Sequence, residues 1–538
     1  MRVSQVTLLH EYLERSAAGH PDKTALVFKK QRFTWAEVHA QAGRIARSLK
    51  ELGLRSGDRV ALYLDNSPEL AIGIFATLAA DGIFVVVNAQ TKADKLAYVL
   101  NDCRPRVLIT DRILEPYYAE ALAQTTHLEH ALIVDLGDGP AHVASPSSQL
   151  GKVACHDFAK TVGGAAAAWP ATKRIPSDLA AIIYTSGSTG DPKGVMLTHH
   201  NMVSAAESIT TYLENQADDI VLCVLPLSFD YGLYQWLMVN QFGGTLVLEQ
   251  SFNYPAAVLK VIETEKVTGL PVVPTIASIL RQWEEKGARL ENIRYVTNTA
   301  AALSITHIET LKRLCPNARL YSMYGLTECK RVCYLPPSLL DKKPLSVGVP
   351  MPNMEVFVVG PNGEELPPDE VGELVVRGPH VMRGYWEKPE ITAQWLKPSP
   401  HIPNEMWLWT GDQFKRDAEG HLYFVGRKDD IIKTRGEKVA PKEVENAIYA
   451  MPGVQDAAVV GQRDDVLGQA IRAFVVLTEG TTYAARDVVQ HCAARLEGFM
   501  VPKYVTFVSS VPKTPSGKIT KKNIWDHALG ARLSGDDL

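Results

Sequence analysis

The fold of this chain is decided by Tyr184-Thr185-Ser186-Gly187-Ser188-Thr189-Gly190-Asp191-Pro192-Lys193-Gly194, a run with three glycines, four serines and threonines, and one lysine. The apolar residues 179–183 precede it and predict a buried strand. A loop of this composition brings backbone N–H groups, hydroxyls and a cation close to phosphate oxygens. The Walker A spacing cannot be read through it. The run therefore predicts a phosphate-binding loop of another type, with a flexible turn as the alternative.

Apolar strands alternate with amphipathic helices on both sides of this loop. Thr34-Trp35-Ala36-Glu37 has the spacing of a capping box and predicts the start of a helix that Gly53 ends. Residues 58–64 and 83–87 predict strands, and residues 68–80 between them predict a helix. Further strand-like runs are 220–225, 245–248, 269–273, 294–296 and 319–321. This alternation predicts an α/β architecture with largely parallel sheets.

The pattern changes twice towards the C-terminus. From about Asn353, short strands with turn signals predict a smaller β-rich subdomain. After Arg427 the charged residues cluster, and a new unit begins with predicted helices over 441–451 and 485–496 and strands over 456–460, 470–477 and 504–508. We therefore expect a large N-terminal domain over residues 1–428, made of α/β subdomains and the β-rich subdomain. A small α+β C-terminal domain is expected over residues 429–538.

Composition and charge exclude several classes of protein. The 538 residues are too many for one core, and the net charge of -4 argues against a general nucleic-acid or anionic-membrane binder. The N-terminus lacks the apolar core of a signal peptide, and no apolar stretch reaches membrane-spanning length. Seven scattered cysteines without a Cys-x-x-Cys pair suggest neither disulfides nor a zinc site. We expect a cytoplasmic protein with no membrane span.

Four further motifs follow the loop in a fixed order: Tyr324-Gly325-Leu326-Thr327-Glu328, Trp409-Thr410-Gly411-Asp412, Gly426-Arg427-Lys428-Asp429-Asp430 with residues 433–438, and Pro515-Ser516-Gly517-Lys518. With all five motifs, the chain resembles the adenylate-forming superfamily of acyl-CoA synthetases, nonribosomal-peptide adenylation domains and firefly luciferase. The resemblance covers nearly the whole chain. It implies ATP and Mg²⁺ as cofactors and attack of a carboxylate on the α-phosphate of ATP.

Such an attack brings two anions together, so cations and fixed dipoles must carry most of the catalysis. In the first loop, backbone N–H groups and hydroxyls can hold the leaving pyrophosphate, and the lysine can add charge. The alternative for this lysine is a solvated loop residue. The predicted nucleotide-binding residues of the loop are Thr185, Ser186, Gly187, Ser188, Thr189, Gly190 and Lys193.

The resemblance also assigns roles in the next motifs. It implies that Glu328 binds the magnesium ion, a hard oxygen ligand for a hard cation. Tyr324 would stack beside adenine, with core packing as the alternative, and Thr327 would reach the α-phosphate. Asp412 would accept hydrogen bonds from the ribose hydroxyls, because two acceptor oxygens suit a cis-diol, and Arg427 would assist there.

Lys518 is the strongest catalytic candidate, since a lysine on a glycine turn can enter a site as a mobile point charge. By resemblance it bridges the substrate carboxylate and the α-phosphate. A basic tail is the alternative, because other lysines lie nearby.

The resemblance also implies that the small domain is mobile. Asp429 matches the hinge about which that domain rotates, withdrawing Lys518, and Gly436 would then border the tunnel for a pantetheine thiol. One site would thus serve adenylation and thioester formation in turn.

The acid itself is indicated by Pro226-Leu227-Ser228-Phe229-Asp230-Tyr231-Gly232. In amino-acid-activating adenylation domains, which this segment resembles, a Phe-Asp pair places the aspartate against the α-ammonium of the substrate. A lone carboxylate beside an apolar pocket is otherwise costly to bury. The alternative is that Asp230 caps a helix starting at Tyr231.

Other candidate pocket residues are partly bulky, which suggests a small substrate side chain; they are Tyr231, Tyr234, Thr299, Ala300, Met323, Arg331 and Val332. The run 327–337 is similar to stand-alone ligases that load L-proline onto carrier proteins, and also to acyl ligases of exosortase systems. Arg331 could instead hold a second carboxylate or face outward.

The sequence therefore predicts an ATP-dependent adenylating ligase for a small amino acid, with L-proline as the leading candidate. It would transfer the aminoacyl group to the phosphopantetheine of a separate carrier protein, because no carrier segment follows Lys518. The alternatives are a fatty-acyl- or aryl-CoA ligase with coenzyme A as the acceptor, and a catalytically silent binding protein. Retention of Glu328, Asp412 and Lys518 together argues against the silent protein.

Overall fold

A computed structural model of the chain describes residues 6–136, 149–164, 169, 171–186, 192–299, 303–427, 430–434, 437–464, 467–496, 498–514 and 518–531. Its α-helices are α1 (Glu11–Gly19), α2 (Trp35–Glu51), α3 (Pro68–Ala79), α4 (Ala93–Cys103), α5 (Glu115–Ala123), α6 (Phe158–Val162), α7 (His199–Tyr212), α8 (Asp230–Phe242), α9 (Pro255–Thr264), α10 (Pro274–Glu284), α11 (Ile305–Leu314), α12 (Pro389–Trp395), α13 (Pro441–Tyr449), α14 (Ala485–Ala493) and α15 (Ile524–Ala531).

The strands of the first part of the chain are β1 (Thr24–Phe28), β2 (Gln31–Thr34), β3 (Arg59–Leu64), β4 (Ile83–Asn88), β5 (Val107–Asp111), β6 (His130–Val134), β7 (Gln149–Leu150), β8 (Val153–Asp157), β9 (Leu179–Ser186), β10 (Pro192–Thr198), β11 (Ile220–Cys223), β12 (Thr245–Leu248), β13 (Gly269–Val272), β14 (Tyr295–Asn298), β15 (Arg319–Tyr324), β16 (Cys333–Tyr334) and β17 (Val349–Pro350). Those of the remaining part are β18 (Glu355–Val359), β19 (Gly372–Arg377), β20 (Gly384–Tyr385), β21 (Leu396–Pro398), β22 (Met406–Arg416), β23 (Leu422–Arg427), β24 (Ile432–Thr434), β25 (Glu437–Val439), β26 (Val454–Asp464), β27 (Gly468–Leu477) and β28 (Tyr504–Phe507).

Two nine-stranded sheets form the large part of the molecule. Sheet I has the order β17-β16-β15-β14-β13-β11-β12-β1-β2, and its strands from β15 to β1 run parallel. Sheet II has the order β20-β10-β9-β4-β3-β5-β6-β8-β7, with a parallel centre from β9 to β8. The predicted α/β class with largely parallel sheets is confirmed.

Local sequence explains why the helices begin where they do. The Thr34 side chain accepts from Glu37 N, and the Glu37 side chain accepts from Thr34 N, so the predicted capping box starts α2. Ser67 caps α3, whose first residue is Pro68, and Gly53 follows α2 with a φ of 83°, a left-handed conformation suited to glycine. One apolar core joins α2, α3 and α8 to both sheets; Trp35 of α2 stacks on Trp236 of α8 at 6.0 Å.

The C-terminal part of the chain contains two smaller sheets. Sheet III joins β18, β19, β22 and β21, with β23 paired to β22, and it forms the predicted β-rich subdomain. Sheet IV has the order β25-β24-β27-β26, with β28 parallel to β27. Helices α13 and α14 share a hydrophobic core with sheet IV, which confirms a small α+β unit. No helix within the described residues is long and apolar enough to cross a membrane.

Candidate active site

The expected phosphate loop is the tip of a β-hairpin at one edge of sheet II. Strand β9 continues to Ser186 and pairs antiparallel with β10, so that Tyr184 lies opposite Gly194 and Thr185 opposite Lys193. A Cβ atom on Gly194 would lie 2.6 Å from Ile182 Cγ2, which explains the glycine there. The loop residues Gly187, Ser188, Thr189 and Gly190 lie outside the described residues, and their phosphate contacts stay predictions.

Lys193 is not a solvated loop lysine, because only 7% of its surface is exposed. Its Nζ lies 5.7 Å from the centroid of the Tyr385 ring, a cation–π contact. The Tyr385 hydroxyl in turn donates a hydrogen bond of 2.7 Å to Glu328 Oε1. Burial raises the pKa of Tyr385, so its proton stays available for that bond. Tyr385 thus connects the lysine of the loop to the predicted metal ligand, a role with no signal in the sequence.

Glu328 is buried and follows β15, as predicted. No group of three or more His, Cys, Asp or Glu side chains that could hold a metal occurs within the described part of the chain. A magnesium ion on Glu328 would therefore take most of its ligands from phosphate oxygens and water, which is how Mg²⁺ usually binds beside nucleotides. The buried Glu328 carboxylate, oriented by Tyr385, fits that group.

Tyr324, Asp412 and Arg427 converge from three strands. The Tyr324 hydroxyl donates to Asp412 Oδ2 at 2.6 Å, and Arg427 Nε lies 3.1 Å from Asp412 Oδ1. The Tyr324 ring packs edge-on against Phe414 at 4.8 Å, so this tyrosine belongs both to the core and to the site. Burial raises the pKa of Asp412, and Arg427 and Tyr324 oppose that rise.

One oxygen of Asp412 is left as an acceptor. Oδ1 is buried and receives no hydrogen bond from any group that the structure describes, although Arg427 lies beside it. A buried acceptor without a donor is costly unless a ligand supplies the donor. A ribose hydroxyl would satisfy this atom, as the sequence predicts for Asp412.

Lys518 lies inside the site rather than in a basic tail. Burial lowers the pKa of its ammonium, and three nearby carboxylates raise it, those of Asp230, Asp412 and Glu328. The neighbouring lysines point elsewhere: Lys513 pairs with Asp456 at 2.7 Å and Lys521 with Glu445 at 3.2 Å. Lys518 is also held by its backbone, whose N–H donates to Thr514 Oγ1 at 3.1 Å and whose carbonyl accepts from Thr514 N at 2.7 Å.

The other end of the site lies at the carboxyl edge of sheet I, where ligands of α/β folds commonly bind. Asp230 follows β11, Thr299 follows β14, and Tyr324 ends β15. Helix α8 begins at Asp230, its N-cap is Phe229, and no side chain caps it. The helix-capping alternative for Asp230 is therefore wrong, since Asp230 is the first residue of the helix and not its N-cap.

Asp230 has a cationic neighbour instead. Its Oδ2 lies 3.6 Å from Arg331 Nη1, and the Asp230 side chain is 21% exposed against 2% for Arg331. Arg331 lies over the Tyr231 ring at 4.6 Å, and its buried Nε has no hydrogen-bond partner among the described groups. The alternative that Arg331 faces outward is wrong, because the pocket encloses it.

The remaining predicted pocket residues are mostly buried. The Tyr231 hydroxyl donates to Thr297 O at 2.7 Å, and Met323 Sδ accepts from the Tyr212 hydroxyl at 2.9 Å. The buried Tyr234 hydroxyl has no partner within the described residues. Thr299 is buried too, and Ala300 lies outside the described residues.

One charged residue of this pocket has no signal in the sequence. Lys330 is fully buried, its Nζ donates to Thr327 O at 3.1 Å, and it adopts a left-handed φ of 65°. Burial lowers its pKa to about 8, against the influence of Asp230 and Glu328. Its neighbour Thr327 is half-buried between Tyr324 and Glu328, and its predicted reach to the α-phosphate stays a prediction.

Two cysteines lie in the same segment. Cys329 and Cys333 are buried and unpaired, and burial raises the pKa of both thiols above the ordinary value. The predicted hinge residue Asp429 and tunnel residue Gly436 lie outside the described residues, so their roles stay predictions.

Comparisons with known proteins agree with this geometry. A family model described as AMP-binding enzyme matches residues 13–386, and a second, for the AMP-binding enzyme C-terminal domain, matches residues 443–518. A long-chain-fatty-acid–CoA ligase from Bacillus subtilis (strain 168) is 33% identical over 96% of this chain and 94% of its own. Tyrocidine synthase 1 from Brevibacillus parabrevis is 27% identical over 98% of this chain and 45% of its own.

A solved structure is similar throughout. The anthranilate CoA ligase AuaEII in complex with anthranoyl-AMP superposes with a TM-score of 0.88 at 26% identity, covering 98% of this chain and 99% of that one. Both ends of the described site are thus contained in a fold that has been seen to hold an acyl-adenylate.

Proposed function

Because the chain belongs to the AMP-binding enzyme family and is an adenylate-forming ligase, we propose that it activates a small amino acid. The aminoacyl-AMP would then pass its aminoacyl group to the phosphopantetheine thiol of a separate carrier protein. AMP-binding enzymes use ATP and Mg²⁺. L-Proline is the first acid to test, because the run 327–337 resembles proline ligases.

The observation that carries this proposal is that the negative charge of Asp230 acts on the Lys518 ammonium within the site. Among the carboxylates, that of Asp230 raises the pKa of the Lys518 ammonium most strongly, and it is not the N-cap of α8. An α-amino acid carries its ammonium and its carboxylate on one carbon. Asp230 can therefore receive the ammonium while Lys518 receives the carboxylate, since opposite charges attract.

The described residues then divide the adenylation step among them. A carboxylate oxygen of the acid attacks the α-phosphorus, the bond to the β-phosphate bridging oxygen breaks, and pyrophosphate leaves. Lys518 would hold the two approaching anions together, and Asp412 would fix the ribose. Lys193 and the loop would stabilise the departing pyrophosphate. Mg²⁺, when bound at Glu328, neutralises phosphate charge.

Thioester formation would follow at the same site. The acceptor thiolate attacks the acyl carbonyl carbon, the carbon–oxygen bond to AMP breaks, and AMP leaves with the electron pair. We infer that the small domain must first withdraw Lys518 to admit the pantetheine arm, with the hinge at Asp429. The domain boundary at residues 428 and 429, the hinge and the cytoplasmic location stay predictions.

A second candidate function is an acyl- or aryl-CoA ligase. It is favoured by the ion pair of Asp230 with Arg331 at 3.6 Å, because a carboxylate that already has a cation beside it needs no ammonium from the substrate. Buried Lys330 adds a further positive charge to the same pocket. Relatives named as CoA ligases make coenzyme A the natural acceptor in this case.

Matched pairs of acids separate the two candidates. ATP–pyrophosphate exchange is measured with L-proline and cyclopentanecarboxylic acid, which differ by the ring amine, and with other small amino acids, fatty acids and aryl acids. The proposal expects exchange with an amino acid and little with its amine-free analogue. It also expects Asp230→Ala to abolish that preference. Exchange with amine-free acids alone would overturn it in favour of the second candidate.

The acceptor is tested separately with preformed adenylate. Coenzyme A and a phosphopantetheinylated carrier protein are offered in turn, and the thioester is detected by mass spectrometry. We expect transfer to the carrier. Transfer to coenzyme A alone would contradict the carrier proposal without touching the choice of acid.

A further inference from the structure

The base of the phosphate-loop hairpin is held by a helix that no step of the reaction uses. Helix α4 ends at Cys103, and Asp102 in its last turn accepts a hydrogen bond at Oδ2 from the Tyr184 hydroxyl. Tyr184 is the first residue of the loop motif, and it lies on β9 opposite Gly194 of β10. The contact therefore reaches the hairpin two residues before β9 ends at Ser186.

The same helix also holds the other side of the hairpin. Tyr98 lies one turn before Asp102, on the same face of α4, and its hydroxyl donates to Pro192 O at 3.2 Å. Pro192 is the first residue of β10. Helix α4 thus forms hydrogen bonds with both strands of the hairpin, with Tyr184 of β9 and Pro192 of β10.

A third segment closes around Asp102. Lys388 Nζ lies 3.7 Å from Asp102 Oδ1, and Trp386 Nε1 donates to the Asp102 carbonyl at 3.0 Å. Trp386 N also donates to Gly194 O at 2.7 Å. Asp102 is therefore the point at which α4, the loop hairpin and residues 386–388 meet.

The position is electrostatically unexpected for a carboxylate. The C-terminal end of a helix carries partial negative charge, which disfavours an aspartate in the last turn. Only 15% of the Asp102 side chain is exposed, and its carboxylate lies between a cation and a phenol. Burial raises the pKa of Tyr184, so the phenol remains a donor. Asp102 therefore provides a directed hydrogen bond to Tyr184, although its negative charge disfavours the C-terminal end of α4.

We propose that Asp102 is a positioning residue for ATP, which acts through Tyr184 to fix strands β9 and β10, from which the phosphate loop extends. Fixed dipoles stabilise phosphate charge only when they are held in place before the ligand arrives. The inference rests on the proposed role of the loop in binding the ATP phosphates. It does not depend on which acid is activated.

The two half-reactions distinguish positioning from general stability. Pyrophosphate is present only in the adenylation step, whereas transfer from preformed adenylate involves no β- or γ-phosphate. A loosened loop should therefore raise the KM for ATP and leave the KM for the acid and the transfer rate unchanged. A damaged fold should lower both half-reactions together.

The experiment measures both half-reactions in Tyr184→Phe and Asp102→Ala. Each should raise the KM for ATP roughly threefold to tenfold, the usual effect of one lost hydrogen bond. The double variant should resemble Asp102→Ala, because that change already removes the hydrogen bond from Tyr184. Asp102→Asn keeps an acceptor and should remain within about twofold of the unmodified protein.

Two controls complete the design. Tyr423→Phe removes a comparable tyrosine–aspartate bond, from the Tyr423 hydroxyl to Asp417 Oδ2 at 3.2 Å, and should leave the KM for ATP unchanged. Ser188→Ala tests the loop itself. If Ser188→Ala leaves the KM for ATP unchanged, the proposed role of the loop fails. If it raises that KM while Tyr184→Phe does not, or if Tyr184→Phe slows both half-reactions equally, the assignment of Asp102 alone is overturned.

Discussion

The two ends of the site differ in how firmly their carboxylates are held, although Asp412 Oδ1 at the nucleotide end also lacks a hydrogen-bond donor among the described groups. At the nucleotide end, Asp412 accepts from Tyr324 at 2.6 Å and Glu328 accepts from Tyr385 at 2.7 Å. At the acid end, Asp230 and Arg331 stand 3.6 Å apart, and Arg331 Nε and the Tyr234 hydroxyl have no hydrogen-bond partner among the described groups.

This difference separates what is common to the reaction from what is particular to the substrate. ATP is the same ligand whichever acid is activated. The groups predicted to bind it can therefore be fixed by partner side chains before ATP binds. The acid pocket keeps charges that the protein itself does not satisfy. Such groups are costly in the free protein and are relieved only by a ligand of matching charge. The acid end is therefore where selectivity should be sought.

Lys518→Ala tests the cation that both ends share, and it should have the largest effect. We expect adenylate formation to fall about 1,000-fold, as on removal of a group that stabilises developing charge. Transfer from preformed adenylate should largely survive. Lys513→Ala, which removes a lysine paired with Asp456, is the control. Equal loss of both half-reactions would mean that Lys518 is not specific to adenylation.

Lys330→Met tests whether a buried charge at the acid end lowers the free energy of unfolding of the free protein. In the folded protein the pKa of Lys330 is about 8, below its ordinary value of 10.5. Between pH 8 and pH 10.5 this lysine is therefore protonated in the unfolded chain and largely neutral in the folded protein. Stability should therefore rise with pH across this window, by about 3 kcal/mol from this residue.

The measurement for Lys330 is the unfolding midpoint at several pH values from about 7.5 to about 10. The Met variant should be more stable than the unmodified protein at the lower pH. Its stability should also rise less with pH. Lys342→Met, at an exposed position, should behave like the unmodified protein. An unchanged slope in Lys330→Met would show that this buried charge is already compensated.

Asp412→Asn probes the free acceptor at the nucleotide end. The amide keeps the shape of the carboxylate but loses its charge, so the KM for ATP should rise about 30-fold, the usual loss for a hydrogen bond to a charged group. The KM for the acid should not change. Asp341→Asn removes an exposed carboxylate that pairs with Lys312 and serves as the control. A rise in the acid KM instead would show that the two ends are not independent.

Tyr385→Phe should have the smallest effect, because the lost hydroxyl only orients Glu328. We expect kcat/KM for ATP to fall about fivefold. The Mg²⁺ concentration needed for half-maximal exchange should increase as well. Tyr483→Phe, whose hydroxyl donates to Pro452 O at 2.9 Å, should be silent. An unaltered Mg²⁺ dependence would contradict the link between Tyr385 and the metal ligand.

Much of the fold could be predicted because its signals are local. The capping box at Thr34, the alternation of apolar strands with helices and the change of pattern near Asn353 each depend on a few adjacent residues. Strand ends could not be predicted in the same way: β9 runs to Ser186 although its apolar residues stop at Ile183. Pairing with β10 extends it, and such pairing is a tertiary effect.

The site divides in the same way. Its nucleotide-end candidates stand in motifs whose order is visible in the chain. Tyr385 could not be found, because its position depends on the pairing of β20 with the distant β10. Lys330 was missed because a lysine in a loop is normally solvated, and only the packed structure shows that it is not. The helix-capping alternative for Asp230 could likewise be rejected only from the observed start of α8.

The buried thiols of Cys329 and Cys333 have a consequence for the chemistry of an acyl-adenylate. Such an intermediate is a strong acylating agent, and a thiolate beside it would be consumed. Burial keeps both thiols protonated, and the thiolate is the nucleophilic form. These two thiols are thereby withheld from the acyl-adenylate, as the proposed transfer to an external thiol requires.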